Sequence, residues 1–166
     1  MSVDSKFYYR LSTMFRGPDM DLDIFNGGPQ NNMPHLAPKA DYSGQYWFIE
    51  PSEQQGYFRL STLFRGQDMC LDVYNGGQFN NMLHLAPRAD YSGQYWQLTP
   101  HPDNPQYLIL TTLFRGPELQ LDIFNGGEYN DQPHLAPAGN FSGQYWLLTK
   151  TDKQVSQVSA EKTVTA

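Results

Sequence analysis

Asp23, Asp72 and Asp122 each stand in a Leu-Asp-Ile or Leu-Asp-Val step, and each is followed two residues later by an aromatic, Phe25, Tyr74 or Phe124. A carboxylate held on such a step can accept charge-assisted hydrogen bonds from ligand hydroxyls, which are stronger than those an amide accepts. It can equally satisfy amides of the Asn-Gly turn beside it. Three histidines, His35, His84 and His134, recur within His-Leu-Ala-Pro. A neutral imidazole donates from one nitrogen and accepts at the other, so ligand contact and a structural hydrogen bond both fit. A shared metal does not fit, because zinc ligands must meet within ~2.1 Å of one point and these side chains face three separate directions. Tyr42, Tyr91 and Phe141, each three residues before Gln45, Gln94 or Gln144, offer a second set of aromatic faces.

These residues argue for binding rather than catalysis. Glycoside hydrolysis needs two carboxyls ~5–9.5 Å apart in different environments, whereas here the carboxylates come as three equivalent copies. No Gly-x-Ser-x-Gly, phosphate loop or nucleophile–base pair is present. The run Asp21-Leu22-Asp23 lacks EF-hand spacing and is lost at Cys70 and Gln120, so no metal or cofactor is expected. A net charge of −6 with 11 Lys and Arg excludes a basic nucleic-acid surface. No apolar run approaches the ~20 residues of a membrane span. The opening Met-Ser-Val-Asp-Ser-Lys lacks a signal-type apolar stretch, so a soluble protein is expected, cytoplasmic or released by a non-classical route. Cys70, the single cysteine, permits no intramolecular disulfide. Because it aligns with Asp21 and Gln120, Cys70→Ser is expected to cost ~1 kcal/mol or less.

The elements that must position these groups are strands. Phe-Arg-Gly recurs at 15–17, 64–66 and 114–116, Asn-Gly-Gly at 26–28, 75–77 and 125–127, and Gln-Tyr-Trp at 45–47, 94–96 and 144–146. Four strand-and-turn signals fall in each copy: 10–15, ended by a Gly-Pro-Asp turn; 21–25; 33–36 after an Asn-Gly reversal; and 45–49. Alternation places Leu22 and Ile24 inward and Asp23 and Phe25 on the other face. No stretch carries a capped helical period. Three copies (about 5–52, 56–101 and 106–150) thus predict twelve strands in one domain over 1–150, with 151–166 a flexible tail. Propellers typically need 4–8 blades, so a closed barrel of threefold pseudo-symmetry is the expected architecture. Arg16, Arg65 and Arg115 are expected to pair locally with Asp19, Asp68 and Glu118, and the three tryptophans to fill the core.

Three Gln-x-Trp signatures, each with Leu-Asp-Ile/Val upstream, resemble the ricin-B-type β-trefoil lectins from Tyr8 to about Thr149. The resemblance implies an all-β, twelve-strand β-trefoil that binds carbohydrate without catalysis, through up to three shallow pockets for galactose- or GalNAc-type glycans. It assigns the sugar-hydroxyl acceptor to Asp23, Asp72 and Asp122, and the third-strand polar contact to His35, His84 and His134. Gln45, Gln94 and Gln144 support each site from behind. Where the family commonly carries a stacking aromatic this chain has Ala37, Ala86 and Ala136, leaving that role to Phe25, Tyr74 and Phe124 or to Tyr42, Tyr91 and Phe141. Gly44, Gly93 and Gly143 replace a polar residue often found before the glutamine. The expected partners are glycans or glycoconjugates. A protein-binding trefoil, such as a protease inhibitor, and a targeting module of a larger toxin or hydrolase are the alternatives.

Overall fold

A computed structural model describes residues 2–155. In the first copy the strands are β1 (Phe7–Thr13), β2 (Met20–Ile24), β3 (Pro34–Pro38) and β4 (Trp47–Pro51). The second copy holds β5 (Phe58–Thr62), β6 (Met69–Val73), β7 (Leu83–Pro87) and β8 (Trp96–Pro100). The third holds β9 (Leu108–Thr112), β10 (Leu119–Ile123), β11 (Pro133–Pro137) and β12 (Trp146–Gln154). The first and fourth strands of every copy close a six-stranded barrel in the order β1-β12-β9-β8-β5-β4, while β2-β3, β6-β7 and β10-β11 form three hairpins that cap it. This is the β-trefoil. Among the described residues the helical content is three single 3-10 turns, Ser43–Gln45, Ser92–Gln94 and Ser142–Gln144, each leading into a Trp strand.

Threefold burial explains why the motifs repeat. Trp47, Trp96 and Trp146 are fully buried, and each indole N–H donates 3.0 Å to the carbonyl of Leu22, Leu71 or Leu121 on the second strand of its own copy. The indole thus fills the core and satisfies its one polar group. Leu11, Leu60 and Leu110 from the barrel and Leu36, Leu85 and Leu135 from the hairpins complete the same core. Each such leucine contributes roughly 1.5–3 kcal/mol of burial. Leu22 and Ile24 point inward and Asp23 outward, as alternation predicts.

The hairpins are locked into a ring. Asn32, Asn81 and Asp131 adopt φ of +70°, +67° and +68°, a region Asn and Asp tolerate better than other side chains. Their carbonyls accept the N–H of Leu85, Leu135 and Leu36, all at 2.8 Å and all in a neighbouring copy. Each hairpin loop therefore braces another copy's third strand.

Two expectations need correction. β12 continues to Gln154, past the boundary expected at 150, because its end pairs with the start of β1 (Phe7 opposite Gln154) and Val155 N–H donates 2.8 Å to Lys6. Val155 also packs on Tyr8, Tyr46 and Phe48, while the rest of the expected tail, 156–166, lies outside the described residues. Cys70, aligned with Asp21 and Gln120 and expected to tolerate change, is fully buried. Its counterpart Asp21 is equally buried and bonds Arg10 at 3.1 Å. The copies with Asp, Cys and Gln at this position carry Arg10, Arg59 and Ile109 on their first strands.

Candidate functional site

Three clefts open where one copy meets the next. The first is lined by Asp23, Asn26, Tyr42, Ser43, Gly44 and, from the second copy, Phe64. Asp72, Asn75, Asp90, Tyr91, Ser92, Gly93 and Phe114 build the second, and Asp122, Asn125, Asn140, Phe141, Ser142, Gly143 and Phe15 the third. Their volumes are about 270, 550 and 480 Å³. Tyr42, Tyr91 and Phe141 are the most exposed large aromatics, at 61%, 61% and 58%.

The carboxylate at the floor is fixed on two sides. Asp23 Oδ1 accepts the N–H of Ile24 at 2.8 Å, and Oδ2 accepts Gln45 Nε2 at 3.1 Å. The same pair of bonds holds Asp72 to Val73 and Gln94, and Asp122 to Ile123 and Gln144. A carboxylate has about four lone-pair sites, so these two bonds leave about half its accepting capacity unspent within the protein. The fully buried Gln45 spends all of its amide, donating to Asp23 and to the Pro38 carbonyl (3.0 Å) and accepting from Arg10 Nη1 (2.7 Å) and Ala40 N–H (3.0 Å). Gln144 lacks the arginine, since Ile109 stands there, and keeps the other three bonds.

Gly44, Gly93 and Gly143 have a spatial reason. A Cβ on Gly44 would sit 2.3 Å from Asp23 Oδ1, and the other two would sit 2.4 Å from Asp72 and Asp122 Oδ1. The absence of a side chain lets the loop close over the carboxylate.

The arginines are not paired within their own turns as expected. Arg16 Nε reaches Asp131 at 2.8 Å, Arg65 Nε reaches Asn32 Oδ1 at 2.8 Å, and Arg115 Nε reaches Asn81 Oδ1 at 2.8 Å. Their Nη2 atoms also donate to Asn125, Asn26 and Asn75 at 3.5, 3.3 and 3.3 Å. The acceptors of the neighbouring copy win over the local carboxylate because the guanidinium fork meets several of them at once. Each lies over the ring of the preceding phenylalanine, 4.1–4.3 Å from its centroid. One arginine thus fixes an aromatic wall and, by taking the oxygen of the cleft asparagine, leaves that amide NH₂ as a donor.

Phe25, Tyr74 and Phe124 stack instead on His35, His84 and His134, with ring centroids 3.8, 3.8 and 3.6 Å apart and near-parallel planes. Neither partner lines a cleft. Burial pushes all three imidazoles below the usual histidine range, partly offset by Asp23, Asp72 or Asp122. The structure therefore brings together Asp23, Tyr42 and Gln45, and their counterparts, and sets the histidine–aromatic pairs apart. Phe15, Phe64, Phe114, Asn26, Asn75 and Asn125 were missed as cleft residues. Their motifs are visible in the sequence, but the meeting of Phe64 with Asp23 crosses a copy boundary.

No protein-family model and no curated protein matches the chain. Solved structures do. A mosquitocidal holotoxin aligns over 92% of the chain at 15% identity and TM-score 0.74, the chain spanning 18% of that protein. The BEL β-trefoil aligns over 91% of the chain and 97% of its own length, at 12% identity and TM-score 0.71. SeviL, bound to asialo-GM1 saccharide, aligns over 88% and 98%, at 17% identity and TM-score 0.61. Among the described residues no helix is long and apolar enough to cross a membrane. At these identities the likeness is one of architecture, and that architecture is the β-trefoil.

Proposed function

We propose that the chain is a non-catalytic carbohydrate-binding module with three inter-copy sites for neutral glycans of the galactose or GalNAc type. The observation that carries this reading is the recurrence, in all three clefts, of a braced carboxylate beside an aromatic wall and an asparagine amide. Asp23, Asp72 and Asp122 accept from adjacent sugar hydroxyls. Asn26, Asn75 and Asn125 donate to a sugar oxygen. Phe64, Phe114 and Phe15, with Tyr42, Tyr91 and Phe141, take the C–H face of the pyranose. Gln45, Gln94 and Gln144 hold the acceptor in place. His35, His84 and His134 support the hairpin through stacking rather than by touching sugar. The saccharide held by SeviL supports the reading.

The clefts are open, so a single site binds at the mM level and avidity arises when several engage one glycosylated surface. A glycan array with the full chain, followed by calorimetry on each hit, tests this. Binding to galactosides that is reduced by Asp23→Ala and by Asp72→Ala supports it. Silence on the array together with absent haemagglutination overturns it in favour of a protein-binding trefoil.

A further inference from the structure

The three copies differ in how they meet the arginine of the first strand, and the difference points to a ligand. In the second copy the Glu53 carboxylate docks on Arg59: its Oε2 lies 3.3 Å from Nε and 2.9 Å from Nη2, with the Tyr95 hydroxyl at 3.4 Å. Its other oxygen is 3.6 Å from Arg88. Arg59 holds the Glu53 carboxyl below the usual range. In the third copy Ile109 and Ala138 stand where Arg59 and Arg88 do, so neither guanidinium is present.

The first copy keeps the receptor half of this arrangement. Arg10 repeats the bonds of Arg59, to the glutamine (2.7 Å in both), to the alanine carbonyl (2.9 against 3.0 Å) and to the tyrosine hydroxyl (3.3 against 3.2 Å). Its guanidinium carbon lies 4.9 Å from the Tyr46 centroid, where Arg59 lies 4.8 Å from Tyr95. Asp152, the counterpart of Glu53, is one methylene shorter and makes no ion pair among the described residues. Arg10 Nε likewise has no hydrogen-bond partner among them, while Asp21 meets its charge from the other side at Nη1. A cavity of about 470 Å³ opens there, lined by Arg10, Lys39, Tyr46, Lys150, Asp152 and Lys153. Lys150 bonds Asp4, whereas Lys39 and Lys153 have no ion-pair partner among the described residues.

From this internal comparison we infer that the Arg10 cavity binds the carboxylate of an acidic sugar, placed as Glu53 is placed on Arg59. Lys39 and Lys153 supply the surplus charge, and Asp152 in the cavity lining favours a monoanion over a dianion. The cavity has room for one pyranose ring beside the carboxylate. This site is separate from the three neutral-sugar clefts, and its failure leaves them untouched.

The test follows Arg10 and Arg59 Nε–H resonances by NMR in the full chain at low ionic strength. Probes are glucuronate, acetate, glucose, and chloride at matched ionic strength. Glucuronate is expected to shift Arg10 Nε–H with a midpoint of order mM. Acetate should act more weakly on the same resonance, and glucose and chloride should have no effect. Replacing both Lys39 and Lys153 by Gln should weaken the response by about threefold, the scale of exposed charge pairs. Glu53→Ala removes an exposed side chain and should make Arg59 Nε–H respond to glucuronate for the first time. An unmoved Arg10, an equal response to chloride, or an Arg59 that stays silent in Glu53→Ala would each overturn the assignment. Shifts at the Gly44 amide report the first cleft separately.

Discussion

Replacing Gly44 by alanine adds one methyl group and tests the floor of the first cleft directly. Gly44 has no positive φ, so alanine meets no conformational penalty there, and the whole cost comes from its neighbours. The new Cβ would lie 2.3 Å from Asp23 Oδ1 and 3.2 Å from the Ile24 nitrogen. The nitrogen contact needs a shift of a few tenths of an ångström, but the oxygen contact is impossible. Asp23 must swing away, giving up the 2.8 Å bond from Ile24 N–H. Losing a hydrogen bond to a charged group costs about 1.5–3 kcal/mol, and because Asp23 is only part-buried the expectation is about 1–2 kcal/mol. For a domain of this size that lowers the melting temperature by roughly 2–8 °C. Galactoside binding at the first cleft should fall about tenfold or more, because the acceptor has moved. Calorimetric titration and thermal melts of Gly44→Ala, Asp23→Ala and the double variant supply the measurement. Once Asp23 is alanine the clash partner is gone, so adding Gly44→Ala should cost almost nothing further. If Gly44→Ala is equally destabilising with and without Asp23, the carboxylate does not lie against Gly44 and the described cleft floor is wrong.

Arg65→Ala removes the brace on Phe64 and the 2.8 Å bond to Asn32, and should cost about 1–2 kcal/mol in urea unfolding while weakening the first cleft more than the third. The third cleft should bind more weakly than the others: Phe141 lacks the hydroxyl of Tyr42 and Tyr91, and Asn140 replaces Asp41 and Asp90. If Asp122→Ala reduces calorimetric binding as much as Asp23→Ala does, that ranking is refuted. Burial lowers the pKa of His35, His84 and His134, so the unfolded chain binds more protons below about pH 6.5. Stability is therefore full above that pH and declines as pH falls through the folded values. Urea midpoints from pH 7 to 5 should show this, with a flatter slope when all three are glutamine. Cys70→Ser puts a hydroxyl into a fully buried site and should cost about 1–2 kcal/mol, read from the same unfolding curves.

The strands and the barrel were legible because burial imposes a period on residue type: Leu22 and Ile24 alternate with Asp23, and the tryptophans mark each fourth strand. The glutamine behind each aspartate was legible too, since both belong to one copy. What lay hidden was anything formed between copies. Phe64 serves the cleft of Asp23, and Arg16 reaches Asp131, contacts that local pattern cannot order because each copy looks self-sufficient. The stacking of Phe25 on His35 was hidden for a different reason. Both residues are suited to a ligand, and only the register that sets His35 opposite Asp23 puts the imidazole within reach of the ring two residues on.

Because every cleft borrows its aromatic wall from another copy, sites and copies are not counted alike during synthesis. An open chain of two copies can complete one cleft, that of Asp23 with Phe64. A third copy adds the cleft of Asp72 with Phe114. The last cleft, Asp122 with Phe15, joins the third copy back to the first and forms only when β12 zips onto β1. The first copy made therefore waits for the third, and the third cleft reports whether the barrel has closed.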